Sequence, residues 1–224
     1  MADQAYFIGL ISGTSIDGVN AALVSFESGR PALHTTRSHA YPDALQKQLH
    51  AICNDPVVPL LTLGQAHVEV GIVFAEAAVA LLDEAGMDKR QVSAIGSHGQ
   101  TLFHKPTPPL PFSLQIGDPS TIAQRTGIAT VADFRSKDLA VGGQGAPLAP
   151  LFHQQVFAAQ EKTRVVVNLG GIANITVLKP GQAVLGFDTG PANVLMDYWV
   201  NRQPGKPFDS AGAWAASGEV IPEL

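Results

Sequence analysis

The sequence predicts an α/β protein that states one theme twice. Short apolar strands alternate with helical stretches, and glycine-rich polar turns follow several of the strands. A unit of strand, glycine turn and strand stands near the start of each half, first across Phe7 to Phe26 and again across Arg164 to Leu178. Two such hairpins suggest a duplicated fold with a cleft between the halves. The polar stretch Gln160-Glu161-Lys162-Thr163 marks the boundary, giving a first domain of residues 1–160 and a second that begins at 161 and occupies residues 161–224.

In the first half, Tyr6 to Ile11 and Val19 to Phe26 are the strands of the hairpin, and Ser12-Gly13-Thr14-Ser15-Ile16-Asp17-Gly18 is its turn. Glycines let the backbone turn tightly with its NH groups inward, hydroxyls add donors, and one carboxylate can hold a metal ion or its water. That is the chemistry of a phosphate cradle, although the same residues also make ordinary turns. Glu27 to Pro31 forms the next turn, and His34 to Tyr41 a third strand. A long helix starts near Thr62, where Thr62 and Gln65 have capping-box spacing, and Gly86 closes it. Gln91 to Gly96 is a short strand whose end delivers Ser97-His98-Gly99-Gln100-Thr101.

Pro106 to Pro111 is a loop leading into the strand Phe112 to Ile116. Asp118 then caps a helix with Pro119 at its first position, and Gly127 ends it. Ile128 to Ala132 is a buried strand ending in Asp133-Phe134-Arg135, the kind of strand end where α/β proteins place ligands. Gly142 to Gly145 forms a loop, and Pro150 opens a helix to about Ala159. In the second half, Arg164 to Leu169 and Ile175 to Leu178 flank the turn Gly170-Gly171-Ile172-Ala173-Asn174. Gripping a phosphate chain from both sides is a sensible use of two such turns. Ala183 to Phe187 is a strand ending in Asp188-Thr189-Gly190, and Pro191 opens a helix running from Ala192 to Asn201. Asp188 therefore stands either as a functional carboxylate beside a helix N-terminus or as that helix's cap.

Composition narrows the function. With 46% hydrophobic and 15% charged residues the chain reads as a soluble globular protein, and a net charge of -5 without basic clusters leaves no footprint for nucleic acid. A single cysteine, Cys53, excludes a disulfide framework and fits a reducing compartment. Met-Ala-Asp-Gln is not a signal sequence and no apolar run reaches membrane length, so the expected place is the cytoplasm, away from membranes. His98 reads as a general base, a substrate donor or a backbone-bonded loop residue. A hydrolase triad lacks its Gly-x-Ser-x-Gly elbow, and no Walker loop is present. Asp188 and Asp17 read as carboxylates with different tasks, one handling a proton and one a metal ion.

Six ordered motifs carry a resemblance: Gly13 to Gly18, Gly96 to Thr101, Val131 to Arg135, Gly142 to Pro147, Asn168 to Asn174 and Gly186 to Asn193. Together, in register from about Gly9 to Gly218, they resemble the 1,6-anhydro-N-acetylmuramic acid kinases. The resemblance implies the sugar kinase, Hsp70 and actin-like fold, with duplicated RNase H-like domains on mixed sheets around a cleft holding ATP and Mg²⁺. It also implies a cytoplasmic homodimer that opens the anhydro ring and phosphorylates O6. Asp188 matches the family's catalytic aspartate and Arg135 its active-site arginine; His98, Gln100 and Thr101 fall in its sugar-binding segment. Gly13, Thr14, Ser15 and Gly18, with Gly170, Gly171 and Asn174, would face the nucleotide, and Asp17 would act through Mg²⁺. The family's further C-terminal portion, with a Gly-Gly-Gly motif for adenosine and another active-site glutamate, has no match here. The second domain is thus expected to be incomplete and this polypeptide to bind ATP poorly and lack useful activity. The alternatives are a non-catalytic binding module of the same fold and a kinase for another sugar.

Overall fold

The structure, a computed structural model, describes residues 5–27, 29–55, 57–203 and 206–222. Met1 to Gln4, Ser28 of the Glu27 to Pro31 turn, Pro56, Pro204 and Gly205 of the loop before Phe208 and the last two residues lie outside the described residues. Contacts divide the chain into two compact units, Met1–Ala146 and Pro147–Leu224.

The first unit is built on a mixed six-stranded sheet, which agrees with the expected fold class. The strands β1 (Tyr6–Ser12), β2 (Gly18–Glu27) and β3 (Arg30–Ala40) form an antiparallel meander. Beside β1, and parallel to it, runs β4 (Val92–Lys105); β5 (Phe112–Ile116) pairs antiparallel with β4, and β6 (Thr130–Val131) pairs parallel with it. The strand order is β3-β2-β1-β4-β5, with β6 against β4. Alternation explains the core: Ile8 and Leu10 of β1, Val19, Ala21 and Leu23 of β2, and Ile95 of β4 are all buried. Helices α1 (Asp43–Asn54), α2 (Leu60–Ala85) and α3 (Pro119–Thr126) supply the rest, through Leu49, Phe74, Leu81 and Ile122. Each such side chain stabilises the unit by about 1.5 to 3 kcal/mol.

Small residues, Ala66, Gly71, Ala75, Ala77 and Ala78, share the buried side of α2 with Val70, Phe74 and Leu81. Gly71 matters most, because a Cβ there would stand 2.9 Å from both the backbone N and O of Asp118. Its absence lets the start of α3 lie directly on α2, where Asp118 N donates to His67 O (3.0 Å) and Gly117 N to His67 Nδ1 (3.2 Å). By length and composition α2 could cross a membrane, contrary to the expectation from sequence, yet 56% of its most apolar window is buried inside the protein.

Several local expectations change. The helix begins at Leu60 after Pro59, so Thr62 and Gln65 form no capping box, whereas Gly86 closes it in the left-handed conformation as expected. Asp118 accepts from Ser120 N and Thr121 N, and Gly127 ends α3, also as expected. The strand starting near Gln91 does not stop at Gly96: β4 continues to Lys105, so Ser97 to Thr101 lie inside a strand rather than at its end. β6 shrinks to two residues, and the short helix α4 (Ser136–Ala140) follows Arg135.

The second unit holds an antiparallel sheet of β7 (Arg164–Leu169), β8 (Ile172–Leu178) and β9 (Leu185–Pro191), with α5 (Ala149–Phe157) and α6 (Asn193–Arg202). His153 of α5 is bonded to Thr176 Oγ1, buried on β8, at 2.9 Å. The strand β9 runs on through Asp188-Thr189-Gly190-Pro191, so Pro191 closes a strand instead of opening a helix. Ala192 is the residue before α6, and Asp188 is therefore no helix cap.

Candidate active site

In the first unit the glycine turn is fastened from below. Ser12, buried at the end of β1, donates through Oγ to Gln100 Oε1 at 2.5 Å. Gln100, 1% exposed on β4, donates through Nε2 to Thr101 O (3.1 Å) and Gly13 O (3.3 Å). The side chain's polar atoms are taken up in joining the turn to the expected sugar-binding strand. Ile16 sits at φ 53 with its NH bonded to Gly13 O, and Gln46 Nε2 donates to Ile16 O at 2.9 Å. Gly18 lies so close to His39 O that a side chain would collide with it. The result is an ordered turn that presents Gly13, Thr14, Ser15 and Asp17 at the surface.

Beside Asp17 stands Tyr41, whose hydroxyl is pushed up to about 12 by burial, with Ser12 opposing and the Asp17 charge adding. Hydroxyls and free amides of the turn suit phosphate oxygens. Among the described residues no group of three His, Cys, Asp or Glu could hold a metal ion. Magnesium keeps several waters and takes one or two carboxylates plus substrate phosphates, so a lone Asp17 fits a nucleotide-borne ion and not a resident one.

Further along β4 the strand kinks. Gly99 has φ +75, and a Cβ would lie 2.5 Å from Ile116 O. This kink folds the His98 ring back so that Nδ1 donates to Gly99 O at 3.0 Å, while Nε2 accepts from Arg135 Nε at 3.0 Å. Arg135 NH1 donates in turn to Gly145 O at 2.5 Å, and Gly145 N donates to Asp138 Oδ2 at 2.7 Å. Burial and the Arg135 charge hold His98 below its usual pKa, against the Gly99 bond.

A cavity of about 290 Å³ opens next to this pair, lined by His67, Ser97, His98, Gln115, Asp133 and Ser136 among others. Among the described residues, Ser97 Oγ and Gln115 Oε1 are buried without a protein partner. Two such polar atoms at a polar cavity suit a ligand with hydroxyl or amide groups. Thr101 is linked to it at one remove, accepting from Gln115 Nε2 at 3.2 Å. Ser97 lay within a motif already marked, but His67, Gln115 and Ser136 carry no sequence signal; only folding gathers them.

In the second unit, Asn174 pairs in register with Asp188, which is exposed on β9. The Gly170-Gly171 turn is locked by the start of α6: Asn193 N donates to Gly170 O and Ala192 N to Gly171 O, both at 2.9 Å. Asn193 Nδ2 adds a bond to Leu169 O at 2.9 Å. Asp188 belongs to this unit and Arg135 to the other.

A family model described as anhydro-N-acetylmuramic acid kinase matches residues 5–224. The chain belongs to this family. It is 53% identical over 218 residues to the anhydro-N-acetylmuramic acid kinase of Shewanella halifaxensis, covering 96% of this chain and 59% of that protein. It is 47% identical over 220 residues to the enzyme of that name from Vibrio cholerae, covering 98% of this chain and 60% of that one. The chain thus spans about three fifths of the length of the curated relatives it matches. Among solved structures, component A of the (R)-2-hydroxyglutaryl-CoA dehydratase of Acidaminococcus fermentans is similar with a TM-score of 0.43 and 11% identity, over 97% of this chain and 61% of that one.

Proposed function

We propose that the chain is part of an ATP-dependent kinase that opens the 1,6-anhydro ring of 1,6-anhydro-N-acetylmuramic acid and phosphorylates O6. The product is N-acetylmuramic acid 6-phosphate, and the role is cytoplasmic recycling of cell-wall sugar by a homodimer. The observation that supports this best is the physical joining of a phosphate-type turn to the strand that carries His98 and borders a polar, sugar-sized cavity, through Gln100.

In this reading Asp188 takes a proton from the water that attacks C1; the C1–O6 bond breaks, and O6 displaces ADP from the γ-phosphorus. Arg135, with Nε and NH1 fixed, offers its remaining donors to the sugar or to developing charge. His98 and Thr101 serve the sugar side, with Gln100 holding their strand. Gly13, Thr14, Ser15 and Gly18, together with Gly170, Gly171 and Asn174, face the phosphates. When bound, Mg²⁺ would neutralise phosphate charge, and Asp17 would hold it.

Because this chain spans three fifths of its relatives' length, residues 1–224 by themselves are proposed to bind ATP weakly and to turn over poorly. Calorimetric titration with Mg-ATP tests this, and micromolar binding would overturn it. In the full-length enzyme, Asp188→Asn should lower turnover of the anhydro sugar in a coupled ADP assay by about 10² to 10⁴. Turnover at an unchanged rate would remove Asp188 from the mechanism; sugar binding with no turnover in the parent enzyme would favour a binding module instead.

A further inference from the structure

We infer that His98 is a positioning residue, kept as the neutral Nδ1–H tautomer so that its Nε2 accepts the Arg135 Nε–H and fixes the guanidinium. The tautomer follows from the partners alone. A carbonyl oxygen only accepts, so the ring nitrogen 3.0 Å from Gly99 O must carry the proton. A guanidinium only donates, so the nitrogen 3.0 Å from Arg135 Nε must be bare. The ring's one basic atom is thereby occupied, and it cannot take a proton from a substrate while Arg135 stays in place.

The pairing has a built frame on both sides. Gly99, at φ +75 and packed against Ile116 O, turns the strand so that the ring can reach back to its neighbour's carbonyl. On the far side Gly145 O accepts the second guanidinium bond, and Asp138 Oδ2 holds Gly145 through its NH. The titratable groups lining the cavity beside His98 are His67 and Asp133, with the Asp118 cap 4.0 Å from His67. Charging His98 would place a second N–H and a second positive charge against Arg135. Acidification should therefore release the arginine, and activity that depends on its placement should fall on the acid side.

The inference rests on the kinase reading only in giving Arg135 a task, and its test does not use that task. In ¹⁵N-labelled chain, long-range proton–nitrogen spectra report the tautomer and titration of His98, and the Arg135 Nε–H signal reports its bond. The expected result is the Nδ1–H tautomer at pH 7.5, a His98 midpoint below the ordinary value, and an Arg135 Nε–H signal that moves with that midpoint. Arg135→Gln should raise the midpoint. His98→Asn, whose side chain ends near the Nδ1 position, should speed exchange of the Arg135 Nε–H about tenfold or more, whereas His98→Gln, which brings an oxygen near the Nε2 position, should largely restore protection and abolish its pH dependence. An Nε2–H tautomer in the unmodified chain, or an Arg135 signal indifferent to His98 titration, overturns the inference. Sugar binding by calorimetry at pH 7.5 separates the two claims: no binding with the pairing intact counts against the kinase reading alone.

Discussion

Gln100 shows how a polar side chain can serve as core. It is buried, shares a 2.5 Å bond with Ser12 and donates to two carbonyls, one of them in the glycine turn. Gln100→Leu keeps the bulk but strands the Ser12 hydroxyl and the Gly13 carbonyl, so urea unfolding should report a loss of about 2 to 4 kcal/mol. Tyr41 makes a pH prediction. Its hydroxyl titrates near 12 in the folded chain but at 10 when unfolded, so its contribution is intact below pH 10 and lost as pH rises through 12. The loss is on the order of 2 kcal/mol, and Tyr41→Phe should flatten that alkaline limb in denaturation curves recorded between pH 9 and 12. The motif around His98 is plain in the sequence, but its ring partner lies 37 residues away and only the pairing of β4 with β6 brings Arg135 near.

At the level of elements, some local signals act as their residue types dictate, whereas Thr62 and Gln65 form no capping box and Pro191 opens no helix. Asp118 before Pro119, and Gly127 and Gly86 after their helices, act through bonds within one turn of the chain, and each behaves as its residue type dictates. The ends of β4 and β9 are set by distant partners. Ser97 to Thr101 and Asp188 to Gly190 have little strand preference of their own, and β1, β5 and β8 hold them extended. Helix α1 has no side-chain cap to announce it, and its stripe of Leu45, Leu49 and Ile52 is defined by burial against the rest of the unit. Between elements, Gly71→Ala should cost about 1 to 3 kcal/mol, because its new methyl meets the Asp118 backbone, which cannot swing aside. A matching loss of protection at Gly117 and Asp118 in hydrogen exchange would show that α3 had been lifted from α2.

Across the whole molecule the two units differ in kind. Met1–Ala146 surrounds a continuous buried cluster, while Pro147–Leu224 leaves Val165, Val167, Leu169, Leu185 and Phe187 of its sheet exposed. Hydrogen exchange should accordingly find its slowest amides in β1, β2, β4 and α2 and much faster ones throughout β7, β8 and β9; equal protection in both units would contradict this ordering. The recurring strand and glycine turn is plain in the sequence, but the sparse burial of the second unit is not, since β7 and β8 are as apolar as the strands of the first. Helix α2 touches β1 through β5, α1 and α3. At its buried alanines and Gly71 a side chain has almost nothing to lose and no room to gain, so larger residues there should cost far more stability than at the outer positions Val68, Glu76 and Val79. Those inner positions are held by space instead of chemistry.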